Sequence, residues 1–188
     1  MSTEKAKAAD NVNSGLIAGT RSGEGALAIG RFTIECFDKD GNSKWIDENH
    51  NLVVNVGLQY MAGVALTSTA QITTWYVGLY GAGASNTPAA TDTLAIHGGW
   101  TEITPYSGSR PSITFVAATN ANPSVVTNST AVSYSINATA TVGGAFLCSV
   151  ASGTSGTLFS AADFQSPGDR SVVSGDTIQV TYTFSLAG

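Results

Sequence analysis

Residues Asp176–Gly188 read "DTIQVTYTFSLAG". Ile178, Val180, Tyr182, Phe184 and Leu186 alternate strictly with Thr177, Gln179, Thr181, Thr183 and Ser185. A period of two belongs to a β-strand with one face on a core and the other turned outward, and here the outward face is polar but uncharged. Val132, Tyr134, Ile136, Ala138, Ala140 and Val142 alternate in the same way, so the sequence predicts two long strands of an antiparallel sandwich or barrel.

Toward the N-terminus, "ALAIGRFTIECFDKDGNSKWIDENHNLVVN" (Ala26–Asn55) reads as β-structure. Its Asp-Gly pair in Lys39–Asn42 suits a tight hairpin turn. Asp38 and Asp40 begin like a calcium loop, but the closing acid is absent, so the turn is the preferred reading. Val56–Leu66 is the one helical segment, with Leu58, Met61, Ala62, Ala65 and Leu66 near helical spacing. In "TTWYVGLY" (Thr73–Tyr80), Trp75, Val77 and Leu79 share one strand face and Tyr76 and Tyr80 the other. Residues 1–25, "MSTEKAKAADNVNSGLIAGTRSGEG", show no period and read as an extended N-terminal arm; 26–188 form a single domain. The expected fold class is therefore all-β: an antiparallel β-sandwich or jelly-roll-like barrel with one short helix and an N-terminal arm.

Charged residues are 11% of the 188, and the net charge is −5. A main partner made of nucleic acid needs clustered Lys and Arg, and Lys5 and Lys7 are the nearest approach. No apolar run is long enough to span a bilayer, and "MSTEKAKAADNV" carries no signal-peptide core. Cys36 and Cys148 lack metal-site spacing and read as small buried side chains.

Catalytic chemistry finds little material. His50 and His97 lie in turn-like contexts, and His97 reads as a hydrogen-bonded loop residue. "SGTSGT" (Ser152–Thr157) lacks the spacing of a nucleophile elbow. Between Asn49 and Ala162 the only ionised side chains expected at neutral pH are Asp92, Glu102 and Arg110. Asp92 reads as a turn residue and Glu102 as the partner of Arg110. The sequence thus indicates no enzyme, no cofactor and no metal. An exterior so poor in charge is easily buried against other protein, because few ions need desolvation; the alternative is a plain β-fold built for a harsh exterior.

With Thr73–Phe115 and the ending from Gly144 in view, the chain resembles a group of small virion-associated structural proteins of tailed bacteriophages. The resemblance covers most of the chain after about residue 50. It lies in an ordered series: a "GLQYM" helix, "TWYVGLY", "ATDTLAIHGGWTE", "YSGSRP", "GGAF", "GTLFSAADF", a "GD" turn and a final "VTYTF". It implies a β-rich virion component, either a capsid decoration or cement subunit or a head–tail adaptor, tail or fibre piece. The partners would be the major capsid protein or other virion proteins and further copies of the chain. The place would be the virion, after synthesis in the host cytoplasm. No catalytic residues come with it.

Leu16 and Ile17 in the arm, Trp100, Tyr106 and Arg110 in the loops, and Thr181 and Thr183 on the last strand are the candidate interaction residues. The competing class is a carbohydrate-binding module for a host-surface glycan. Trp75, Tyr76, Trp100 and Tyr106 motivate it, since aromatic faces stack on sugars. Trp100, set among turn residues in "HGGWTE", is its best platform.

Overall fold

The computed structural model describes residues 25–81, 87–165 and 168–188. Leu16, Ile17 and the arm expectation lie outside them. The described elements are β1 (Leu27–Phe37), β2 (Ser43–Val53), α1 (Asn55–Leu66), β3 (Trp75–Gly81), β4 (Glu102–Ile103), β5 (Ser112–Ile113), β6 (Ser124–Thr127), β7 (Val132–Ser135), β8 (Ala140–Cys148), β9 (Leu158–Asp163), β10 (Arg170–Val172) and β11 (Thr177–Ala187). The fold is all-β with one short helix, and its paired strands run antiparallel.

In the first sheet β1 lies between β2 and β11. The far edge of β11 is covered in succession by β7, along Thr177–Val180, and β6, along Thr183–Leu186. The second sheet is built around β8, with β3 on one side and β9 and β10 in succession on the other; β4 and β5 line the outer edge of β3. Leu52 and Val53 at the end of β2 pair with Ala161 and Ser160 of β9, so one strand joins the two sheets at a corner.

Three expectations about local structure hold. Gly41 of the Asp-Gly pair takes φ +83°, as the sequence implied, and the structure adds the Asp38 carboxylate, which accepts the backbone N–H groups of Asp40 and Asn42, each at 2.9 Å. Ile178, Val180 and Tyr182 point into the core between the sheets, while Gln179 is exposed and Thr181 and Thr183 are half-buried on the outer face. Cys36 and Cys148 are both buried and free.

Two expectations do not. The single strand over Val132–Val142 is two strands in different sheets, β7 and β8. The chain crosses between them at Ile136–Thr139. There the Ile136 amide donates to Asp176 O and the Asn137 amide to Pro105 O, both outside any ladder. Ala138, which keeps the alternation on paper, is exposed; a methyl group adds too little apolar area to hold that turn inside. The helix is also rotated from the expected face. Leu58 and Leu66 are exposed, whereas Gly57, Tyr60, Met61 and Val64 turn toward the sandwich. Gly57 sets this rotation: a Cβ there would lie 2.3 Å from the Phe159 carbonyl oxygen, so only glycine lets the helix backbone rest on β9.

The main core lies between the sheets and joins Phe32, Ile34, Val77, Leu147, Ile178 and Tyr182. A second cluster covers the opposite face of the second sheet, with Tyr80, Phe146 and Leu158 beneath Leu94 and Trp100. The split agrees with the expected division of β3, because Trp75, Val77 and Leu79 serve the first cluster and Tyr76 and Tyr80 the second. Gly78 opposes Phe146 and Gly144 opposes Tyr80 across the β3–β8 ladder. A Cβ on Gly78 would sit 2.1 Å from Phe146 Cζ, and one on Gly144 2.3 Å from the Tyr80 hydroxyl. Each aromatic ring thus lies across the glycine opposite it.

Candidate docking groove and the enclosed Trp100 cluster

Trp100 is held inside by its own loop. The loop after Thr87 lies over the second sheet, where Trp100 packs on Tyr80 and Phe146 with ring centroids 5.2 and 5.0 Å away. Trp100 Nε1 donates to Asp92 Oδ2 at 3.1 Å, and the same oxygen accepts the Ala89 amide at 3.0 Å, so Asp92 is a turn residue that also satisfies the indole. His97 stacks on the outer face of the indole at 3.7 Å, and its Nδ1 lies 2.8 Å from Trp100 O. His97 is therefore a hydrogen-bonded loop residue. With His97 above and Tyr80 and Phe146 below, Trp100 offers no open ring face for a sugar; the sequence showed its turn residues but not the sheet beneath them.

Arg110, 4% exposed, is held by Glu102 in a two-pronged contact. Nε reaches Glu102 Oε1 at 2.7 Å and Nη2 reaches Oε2 at 2.6 Å. Its remaining donors go to Val150 O and Gly153 O at 3.0 Å, and its guanidinium lies 5.2 Å from the centre of the Phe146 ring. The pairing expected from sequence is present, and it ties the loop after β8 to β4. Tyr106 is buried against Tyr134, at 4.8 Å between ring centroids, and burial pushes its phenol up to about 12. None of these three residues is a free surface anchor.

All three charged groups between Asn49 and Ala162 are thus engaged internally. Burial also raises both thiols, Cys36 to about 11, so each favours its neutral form. Among the described residues no cluster of three or more His, Cys, Asp or Glu could hold a metal ion, and no helix is long and apolar enough to cross a membrane.

Thr181 and Thr183 lie on the outer face of the first sheet. Thr181 stands opposite Thr33 of β1, and Thr183 stands between Arg31 of β1 and Thr127 of β6, whose hydroxyl is 3.2 Å from its own. The face of β11 is uncharged, as its sequence reads, but β1 adds Arg31 and Glu35 beside it. Arg31 in turn is neutralised by Glu48 at 3.2 Å.

Among several concavities, the most apolar is a groove of about 350 Å³ where the sandwich opens under α1. Its walls are Trp75 and Phe159 of the second sheet, Phe184 and Leu186 of β11, and Tyr60 and Val64 of the helix. Edge-to-face aromatic contacts run through it: Tyr60–Trp75 at 5.4 Å, Trp75–Phe159 at 5.4 Å and Phe159–Phe184 at 5.5 Å. The Tyr60 hydroxyl accepts the Ile72 amide at 2.7 Å, which holds the following loop against the groove. Among the described residues no acid, base or thiol lines it, and its aromatic and aliphatic walls suit an apolar group. Sequence reasoning assigned Trp75 and Phe184 to the core and missed the opening. The aromatics at the strand ends were legible, but which neighbour would fail to cover them was not.

No protein-family model, curated protein or solved structure gives a significant match to this chain.

Proposed function

We propose that the chain is a non-enzymatic structural subunit of a tailed-bacteriophage virion, docking on the outer capsid surface as a decoration or cement protein. The observation that carries this reading is the disposition of charge. From Asn49 to Ala162 the chain has three charged side chains, and Asp92, Glu102 and Arg110 each engage an internal partner. What remains outward is hydroxyl, amide and apolar surface, which loses little hydration when covered by another protein. The resemblance of the chain to phage virion proteins supplies the identity of that partner.

The docking surface in this reading is the uncharged outer side of β11, with Thr181 and Thr183; it lies outside the charge-poor span and beside the Arg31–Glu48 pair, so its low charge is that of β11 alone. The test is co-sedimentation of the subunit with purified capsids. Thr183→Lys should leave the thermal midpoint within a few degrees of wild type and abolish binding, because an added ammonium beside Arg31 must be desolvated or repelled. Retained binding refutes the surface. Densitometry of virions against the major capsid protein addresses the role itself, since a handful of copies per particle would favour an adaptor or tail component.

A further inference from the structure

We infer that the apolar groove under α1 is occupied by the chain's own N-terminal segment, with the Leu16–Ile17 pair as its anchor. This inference goes beyond the virion reading and is tested on the subunit alone.

Three observations lead to it. The first is where the described chain begins. Leu27 pairs with Ala187 and Ala28 with Leu186, and Leu186 forms the rim of the groove. The preceding segment therefore joins the fold about one strand spacing, ~4.8 Å, from the groove mouth. The second is that the groove is walled mainly by aromatic and aliphatic side chains and stays open, with Leu186 exposed at its rim. An open apolar surface of this kind marks a face that something covers.

The third is the composition of residues 1–24. Leu16 and Ile17 are their one adjacent pair of bulky aliphatics, framed by Gly15 before and Ala18-Gly19 after, small residues that allow close backbone approach. The charges, Glu4, Lys5, Lys7 and Asp10 on one side and Arg21 and Glu24 on the other, stand apart from the pair. A groove without an ionisable acid or base matches the pair and excludes those flanks.

Reach and concentration favour the chain's own segment over that of another copy. The eight steps from Ile17 to Gly25 span up to about 26–29 Å when extended, far more than one strand spacing. Gly19, Gly23 and Gly25 let the path turn back. A tether this short holds its end at an effective concentration on the order of millimolar, so even a weak contact is populated without a partner. The groove volume lies at the small end of ligand pockets and suits one or two branched side chains.

Disulfide trapping in the full chain tests this, since Cys36 and Cys148 are buried and free and contribute no exposed thiol. Ile17→Cys combined with Val64→Cys on the groove wall should close an intrachain disulfide about tenfold faster than Lys7→Cys combined with Val64→Cys. Equal rates, or a disulfide formed between two chains, would overturn the assignment. Leu16→Asp, which alters no described residue, should raise binding of an apolar fluorescent dye several-fold by vacating the groove. Unchanged dye binding would overturn it as well.

Discussion

Tyr182 lies at the centre of the inward face of β11, and three substitutions around it test how that strand is seated. Its side chain is 1% exposed, its ring packs 4.6 Å from Phe32 and 6.1 Å from Phe115, and its hydroxyl is 2.9 Å from Asn51 Nδ2 and 3.2 Å from Ser160 Oγ. Tyr182→Phe keeps the ring and deletes the hydroxyl. It strands the Asn51 amide, whose Oδ1 already lacks a partner, and removes the bond to fully buried Ser160. Leaving buried donors unpaired costs about 1–3 kcal/mol. Tyr182→Ala removes the ring as well and should cost about 3–5 kcal/mol, through lost burial and the cavity left behind. Thr181→Ala, one residue earlier on the outer face, should stay within about 0.5 kcal/mol. Urea unfolding followed by tryptophan fluorescence measures all three, and each kcal/mol should also lower the thermal midpoint by roughly 2–4 °C in a chain of this size. The denaturant slopes should be equal across the set. If Tyr182→Phe costs no more than Thr181→Ala, the hydroxyl is not buried in the network described; if Tyr182→Ala is also mild, the strand faces are exchanged.

The Arg110–Glu102 pair should behave as a unit. Glu102→Gln alone leaves a buried guanidinium short of its counter-charge and should cost about 2–4 kcal/mol. The Arg110→Met, Glu102→Gln double variant should recover part of that loss in a double-mutant cycle, and strict additivity would refute the coupling. Asp163 gives a pH test. Burial first, then the nearby Asp169 and Asp47, raise its carboxyl above the ordinary value, so its protonated form is favoured in the fold. A raised acid contributes stability below its unfolded pKa and loses it as pH rises through the folded value. Asp163→Asn should therefore be more stable than wild type at neutral pH, with the advantage vanishing in acid. An advantage independent of pH from 3 to 7 would refute the electrostatic account.

Local and periodic features were legible in the chain. The alternation of β11 assigned its two faces, because a strand's side chains must point to opposite sides whatever surrounds it. Lys39–Asn42 specified a hairpin turn, because the Asp38 carboxylate and Gly41 act within five residues. Glu102 and Arg110 were legible as partners because so few other charges compete for either. The tertiary structure decided what covers each face. Trp100 sits among turn residues, yet Gly78 and Gly144 leave room for Phe146 and Tyr80 to lie across the ladder and bring a sheet face up beneath it. The alternation from Val132 to Val142 runs on unbroken in the sequence, but competing pairings with β11 and β3 split it between two sheets. The helix face turned on one close approach, Gly57 to Phe159. The groove is lined by α1, β3, β9 and β11, elements far apart in the chain, an arrangement that no single segment's periodicity encodes.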